Sequence, residues 1–318
     1  MKQVKSISIL VPIFNEAAVL PQLFKRLDEV MTITSQHVDV VLVDDGSTDG
    51  SAAVIKETIT GNNNYSAIFL SRNFGHPMAL SAGLDYIGES ADAVFIIDGD
   101  LQDPPELLPY FLEKMEEGND VVYGIRRSRK ENFSKRFFYK LFYRIQNRFS
   151  NITMPLDAGD FSLLSKRVVL HLNALPEESR YLRGMRSWVG FNQAGLPYQR
   201  EERKEGKSKY SLKALFNLAF NGIFNFSEFP IRFIGRLGII TVLISLIYLG
   251  ITLYKKFVFG TVPEGFTALI FAIVLFSGVQ LLSLGIIGEY ILRIFFQVKQ
   301  RPLYIIKSKL VKGEAGDE

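Results

Sequence analysis

The sequence predicts an α/β domain with an open, mostly parallel sheet, followed by an interfacial helix and two membrane-spanning helices. Three observations carry that expectation. Short apolar runs without alternation recur through the first part of the chain and are separated by helical patterns, the order that gives parallel strands covered on both faces. Each run ends in polar or charged residues, so the chemistry collects along one edge of the sheet. Two long charge-free stretches follow in the last third, each sufficient to cross a hydrocarbon core of about 30 Å.

In chain order, Ile7–Val11 is the first strand, and Glu16–Met31 carries Val19, Leu20, Leu23, Phe24 and Leu27 at helical spacing. Val38–Val43 is the second strand; it ends in Asp44, Asp45, Gly46, Ser47, Thr48, Asp49 and Gly50, and a helix follows. Ala67–Leu70 is the third strand and Pro77–Ile87 the third helix. Val94–Ile97 forms the fourth strand, with a helix from Pro105 to Glu117, and Val121–Tyr123 the fifth. Phe133–Phe149 is a basic, aromatic helical pattern that fits packing on the domain or resting on a membrane equally well. Asp157–Phe161 reads as a compact acidic turn before a helix at Lys166–Asn173. Tyr181–Gly190 reads as a helix, Asn192–Tyr198 as a strand, and the charged run Arg200–Tyr210 as a surface loop. Leu212–Phe229 alternates apolar and small polar residues up to Pro230, as a helix in the interfacial plane does. Leu237–Tyr254 and Phe266–Gly288 are the two spans. The chain thus divides into a catalytic-type domain at 1–210, an interfacial region at 211–231, a transmembrane hairpin at 232–292 and a basic tail at 293–318.

Composition narrows the function. The chain has 318 residues, 47% of them hydrophobic, and no cysteine, which excludes disulfides and thiolate metal sites. Its histidines (His37, His76, His171) have no ligand spacing. The apolar run near Met1 is short and is followed by Asn15 and Glu16, so it reads as a first strand and not as a signal peptide. The net charge is +4. Its basic residues gather at Arg126–Lys140, Arg200–Lys213 and Arg293–Lys312. The last two flank the apolar segments, which suits anionic headgroups or phosphate and argues against a nucleic-acid partner. Arg232 and Arg236 precede the first span, and Arg293, Lys299, Arg301, Lys307, Lys309 and Lys312 follow the second. The positive-inside rule therefore puts the domain and both termini in the cytoplasm, with Lys255 and Lys256 in the connecting loop as a weak opposing signal.

The stretch around which the rest is organised is Ala93–Glu106, AVFIIDGDLQDPPE. If the backbone stays extended past Asp98, then Asp98, Asp100 and Gln102 point to one side. Three hard oxygen donors favour Mg2+ or Mn2+ over zinc and leave positions for substrate phosphates. Asp103 reads as an N-cap, with Pro104 at the first helical position and Glu106 closing a capping box. Polar residues at the other strand ends, Asn15 and Glu16, Asp44 and Asp45, Arg72 and Asn73, and Arg126 and Arg127, belong to the same edge. Ser47, Thr48 and Asp49 read as turn and cap residues.

These residues resemble the inverting family 2 glycosyltransferases of the GT-A (Rossmann-like) fold and, within them, the polyprenyl-phosphate glycosyltransferases, the group of dolichyl-phosphate mannose synthase and the bactoprenol glucosyltransferases. The resemblance rests on VPIFNEA at Val11–Ala17, VDDGSTDG at Val43–Gly50, RNFGH at Arg72–His76, DGDLQDPPE at Asp98–Glu106, LDAGDF at Leu156–Phe161 and RKEGKSKY at Arg203–Tyr210. It implies a nucleotide-sugar donor and a membrane-held isoprenoid phosphate acceptor. On that basis Asp44 or Asp45 hydrogen-bonds the base, and Pro12, Asn15 and Glu16 line the nucleotide cleft. Asp98 touches the ribose or sugar and joins Asp100 and Gln102 at the metal. Arg126 or Arg127, with Arg203, Ser208 and Lys209 of a closing loop, contacts donor or acceptor phosphates. Asp157 stands where the group places its proposed base, with an orienting role as an equal alternative and Asp160 as the next candidate. The implied reaction is inverting transfer of a hexose, best matched by glucose from UDP-glucose, to polyprenyl phosphate, by an enzyme that forms homo-oligomers in a bacterial plasma membrane. A GDP-mannose-dependent synthase is the main alternative. A processive polysaccharide synthase is disfavoured because no QxxRW-type motif or larger channel region is found, and a non-catalytic scaffold because Asp98, Asp100 and Gln102 are all retained.

Overall fold

The computed structural model describes residues 4–127, 158–178, 180–200, 229–260, 265–312 and 314–315. The region read above as a basic helix (Phe133–Phe149), the surface loop after Arg200 and the interfacial helix before Phe229 lie outside these residues.

The first half alternates strands and helices as expected: β1 Ser6–Ile13, α1 Leu20–Ile33, β2 His37–Asp44, α2 Ser51–Ile59, β3 Tyr65–Leu70, α3 His76–Ile87, β4 Ala93–Ile96 and α4 Leu108–Glu116, the last preceded by a single 3-10 turn at Pro105–Leu107. β5 Val121–Arg127, β6 Ala158–Ser165, α5 Lys166–Ala174, α6 Leu182–Val189 and β7 Gln193–Gln199 complete the N-terminal part. α7 Phe229–Phe259 and α8 Phe266–Lys299 follow, and the chain closes with β8 Ile306–Val311 and β9 Glu314–Ala315. All nine strands belong to one sheet, in the order β7-β5-β6-β4-β1-β2-β3-β8-β9.

The pairs β4·β1, β1·β2 and β2·β3 are parallel. Their runs of Val, Ile and Leu are buried on both faces because helices cover each face. On one face Ile9, Val11, Val40 and Leu42 pack with Leu23 and Leu27 of α1, Ile55 of α2 and Phe111 of α4. On the other, Leu10, Val41 and Val43 pack with Leu80 and Leu84 of α3, Val168 of α5 and Met185 of α6. The strand order reverses at β1, which has β2 on one side and β4 on the other. In such sheets the crevice outside the carboxyl ends of the strands at that reversal is where ligands bind.

Three expectations give way. The acidic turn expected at Asp157–Phe161 is, from Ala158 on, the start of β6, which pairs antiparallel with both β4 and β5. Phe161 seats it by joining Phe95, Phe111 and Tyr198 in an aromatic cluster with centroids 4.8–5.3 Å apart. The tail read as a basic extension supplies β8, antiparallel to β3 on one side and to the two-residue β9 on the other. The second long helix runs on to Lys299, beyond the charge-free stretch.

α7 has 31 residues and α8 has 34, about 46 and 51 Å at 1.5 Å per residue. By length and composition both can cross a membrane, with apolar windows at Phe233–Phe259 and Leu275–Lys299. Leu246, Ile247, Leu281 and Leu282 are among the large apolar side chains that they leave exposed, the pattern of a surface made for lipid.

Candidate active site

The carboxyl ends of β1, β2 and β3 are in register. Ile13 lies beside Asp44, Asp44 beside Phe69, and Phe69 beside Ser308 of β8. That row floors a cleft of about 490 Å³ walled by Phe14, Arg72, Asn73 and Lys307. Asp44 is buried. Its Oδ2 accepts a long hydrogen bond from the Ser47 amide (3.4 Å), while Oδ1 has no partner. Burial raises its pKa against the lowering pull of Ser47. A buried carboxylate oxygen left without a donor is costly unless a ligand supplies one.

The neighbouring carboxylate is differently employed. Asp45 accepts from the Phe74 and Gly75 amides at 2.7 and 2.9 Å and so fastens the loop after β3. Gly46, at φ +68°, completes that junction: a Cβ there would stand 2.4 Å from the Arg72 carbonyl carbon, so only glycine fits. The loop after β1 is laced to the same region. The Asn15 amide donates to Ser47 Oγ (2.9 Å), Asn15 Oδ1 accepts from the Thr48 amide (2.8 Å), and the Glu16 amide donates to Ser51 Oγ (3.0 Å). Pro12 is buried within β1. Asn15 itself sits at φ +55°, a conformation asparagine tolerates better than most residues.

Beyond β4 the backbone does not stay extended. The strand ends at Ile96, the chain turns at Gly99 and Asp100, and Leu101 takes φ +60° with its side chain buried. Alternation therefore does not line up Asp98, Asp100 and Gln102. The turn folds them together instead, with the Gln102 amide donating to Asp100 Oδ1 (3.1 Å) and Arg200 Nη2 lying 3.5 Å from Asp98 and 4.0 Å from Asp100.

Asp103 and Glu106 are not the helix cap that the local pattern suggests. The 3-10 turn begins at Pro105 without a side-chain cap, and Glu106 pairs with Arg26 at 2.6 Å. Asp103 is buried, accepts a 2.5 Å hydrogen bond from the Tyr198 hydroxyl and lies 3.4 Å from Arg200 Nε. Burial and the nearby Asp98 charge push its pKa up to about 6, with Arg200 and Arg126 acting the other way. Partners 95 residues or more along the chain take the place of a cap because a carboxylate buried away from water must be matched there.

His76, at the start of α3, stands between two carboxylates, its Nε2 3.7 Å from Asp98 Oδ1 and 3.7 Å from Asp160 Oδ2. Burial disfavours its charge, but Asp160 and Asp98 outweigh that and its pKa is raised. Asp160 also takes a fork from Arg183, Nε at 3.1 Å and Nη2 at 3.2 Å. Burial alone would raise the Asp160 pKa; Arg183 and His76 bring it well below the usual carboxylate value. Arg126 of β5 reaches the Tyr198 hydroxyl (3.4 Å) and lies so close to Gly159 that a Cβ there would be 2.9 Å from its Nη2.

The structure thus brings Asp44, Asp98, Asp100, Asp160 and Arg126 to one edge of the sheet. Arg127 closes β5 beside Gln199. Asp157, Arg203, Ser208 and Lys209 lie outside the described residues. Sequence reading missed Arg183, Tyr198, Arg200 and Lys307, which arrive from distant elements, and left His76 without a role although it closes the RNFGH motif. Among the described residues no group of three or more His, Cys, Asp or Glu side chains forms a metal cage. The oxygen-rich Asp98, Asp100 and Gln102 turn fits instead a hard cation bound mainly by its substrate's phosphates.

A doubly wound sheet with this polar crevice at its reversal point is that of a glycosyltransferase of GT-A-like fold. Residues 8–172 match the family described as Glycosyl transferase family 2. The chain is 38% identical over 307 residues to a bactoprenol glucosyl transferase of Shigella phage SfV, covering 96% of this chain and 99% of that protein. It is 41% identical over 301 residues to the uncharacterized glycosyltransferase YkcC of Bacillus subtilis (strain 168), covering 94% and 93%. A crystal structure of glucosyl-3-phosphoglycerate synthase from Mycobacterium tuberculosis is similar at TM-score 0.48 and 19% identity, over 69% of this chain and 78% of that one. The chain belongs to glycosyl transferase family 2.

Proposed function

We propose that this enzyme transfers a hexose, glucose from UDP-glucose, to a polyprenyl phosphate at the cytoplasmic face of the membrane, with inversion at the anomeric carbon. The relatives named bactoprenol glucosyl transferase, similar over nearly the whole chain, support transfer to a polyprenyl phosphate. The observation that carries the donor half is the free Oδ1 of Asp44 beside an Asp45 wholly engaged with backbone amides. A buried acceptor atom in a cleft of nucleotide size selects a ring N–H, which uracil presents between its two carbonyls. Asp44 is therefore assigned to the base. Asp45, Asn15 and the Glu16 backbone act by shaping the loops around it.

The two apolar helices, long and apolar enough to cross a membrane, support the acceptor half: spanning a bilayer, they would keep the cleft within reach of a lipid phosphate. Asp98 and Asp100, with Gln102, would hold Mg2+ or Mn2+, which when bound neutralises charge on the departing nucleoside diphosphate. The rest of the reaction falls to this chain's own residues. A phosphate monoester has its second pKa near about 6, so the acceptor reaches the site largely as a dianion and needs little deprotonation. Positioning and neutralisation then dominate. This reduces the demand on Asp157 and Asp160 as bases and favours an orienting role: Asp160 already holds Arg183 and faces His76. Arg203, Ser208 and Lys209 are assigned to the loop that closes over the donor.

Donor screening tests the reading. Full-length enzyme in detergent with undecaprenyl phosphate is offered UDP-glucose, UDP-galactose and GDP-mannose in turn, and the lipid product is weighed by mass spectrometry. Product from the UDP-hexoses and none from GDP-mannose is expected. Product from GDP-mannose alone would shift the assignment to a mannosyl transfer.

A further inference from the structure

Arg186 is the largest side chain buried to less than 2% exposure among the described residues, at 1%. Among the described residues, its Nη1 reaches the Gly159 carbonyl, at 3.5 Å, and its Nε and Nη2 have no hydrogen-bond partner. The guanidinium lies 5.2 Å from the centre of the Tyr123 ring, which provides a face but no acceptor. Burial draws its pKa down to about 10, still charged at neutral pH. Buried guanidinium groups are normally matched by carboxylates or carbonyls; here the Asp160 charge offsets part of the burial, yet two nitrogens make no hydrogen bond.

Two further arginines converge on the same spot. Arg126 abuts Gly159 from β5, with no room for a Cβ between them, and Arg183, one turn before Arg186 on α6, forks onto Asp160. Among the described residues, the acidic groups facing this cluster are Asp160 and, through Arg126, Asp103, which Arg200 shares. Positive charge is therefore in excess among the described residues at the start of β6. His76 links this excess to the donor side, since it stands 3.7 Å from Asp160 and 3.7 Å from Asp98.

We propose that Arg183 and Arg186, with Arg126, form the binding site for the phosphate monoester of the acceptor. This rests on the reading above and names a subsite within it. Guanidinium forks match tetrahedral phosphate oxygens in pairs, and the unmatched N–H groups of Arg186 are filled when that phosphate arrives. A phosphate held there faces the sugar across His76. One of its oxygens attacks the anomeric carbon as the bond from that carbon to the donor diphosphate breaks, and the bonding pair leaves with the nucleoside diphosphate. No proton has to move, because the attacking oxygen is already anionic. Arg183 turns from Asp160 to the acceptor in the same event, which gives Asp160 its purpose: it stores the arginine while the site is empty.

The test uses full-length enzyme in detergent, with KM measured separately for undecaprenyl phosphate and for UDP-glucose, and UDP affinity measured by calorimetry. Arg186→Lys keeps the charge and loses the fork; Arg183→Gln alters a partly exposed residue that the core does not need. The expected result is a rise in acceptor KM of about tenfold or more, the loss of one or more charge-assisted hydrogen bonds, with donor KM and UDP affinity within about twofold of wild type and with partial recovery in Arg183→Lys. If acceptor KM is unchanged in both variants, or if both KM values rise together, the site is not where the acceptor phosphate binds. Should Arg186→Lys fail to fold, Arg183→Gln decides alone. A wild-type enzyme that makes no lipid-linked sugar would instead overturn the functional reading itself.

Discussion

At the scale of single residues, the site is governed by which carboxylates have partners and which do not. Asp44, Asp45, Asp98, Asp103 and Asp160 look alike in sequence, yet one lacks a donor on Oδ1, one holds two backbone amides, one faces His76 and Arg200, one is buried against a tyrosine and one holds an arginine fork. The motifs gave away that these positions matter. They did not give away the division of labour, because each partner comes from far along the chain: the DPPE pattern reads as a cap, and nothing local announces Tyr198. His76 permits a test of this reading. Its folded-state pKa is raised above the ordinary value of about 6.5, so the stability it contributes is complete below about pH 6.5 and is lost as pH rises through the raised value. With 43% of the side chain exposed, screening holds the effect to below about 1 kcal/mol. The gap in unfolding midpoint between wild type and His76→Gln should therefore narrow from about pH 6 to pH 9. A gap that is constant or widens would mean that His76 does not carry the charge between Asp98 and Asp160.

At the scale of elements, the parallel strands were legible because residues buried on both faces form unbroken apolar runs. β6 and β8 were not. AGDFSLLS mixes small and polar residues and is held as a strand by its aromatic neighbours, while IKSKLV carries two lysines and a serine within six residues and reads locally as a basic tail. The consequence is functional. Because Ser308 lies beside Phe69 and Lys307 walls the cleft, part of the proposed donor pocket is made by residues that come after both long helices. Lys307 is exposed and outside the core, so Lys307→Glu should leave the unfolding midpoint in place and weaken UDP binding by roughly threefold to tenfold through charge reversal near an anionic ligand. Calorimetry at two salt concentrations checks this, since the loss should shrink at high salt. Unchanged affinity at low salt would remove β8 from the pocket.

At the scale of the whole molecule, the return of the chain to its own sheet gives the two apolar helices their meaning. α8 hands over to β8 through Gln297, whose amide nitrogen reaches the Pro176 carbonyl at 2.5 Å and whose carbonyl accepts from the Glu178 amide at 3.0 Å. Tyr304 then bonds Asp85 of α3 at 2.9 Å. Because strands on both sides of the helix pair share one sheet, two spanning helices would leave both flanking segments on one face, as the distribution of lysine and arginine would require. On the proposed function, such a hairpin would tether the cleft near the bilayer surface, within reach of an isoprenoid phosphate. The most direct measurement is transfer of labelled glucose from UDP-glucose to undecaprenyl phosphate by full-length enzyme with Mg2+ or Mn2+, compared with Asp100→Ala. The account predicts a labelled glucosyl lipid from the wild type and a loss of about a hundredfold or more in the variant, the scale of removing a major charge-stabilising group. Transfer at an undiminished rate by Asp100→Ala, or no lipid product from the wild type, would contradict it.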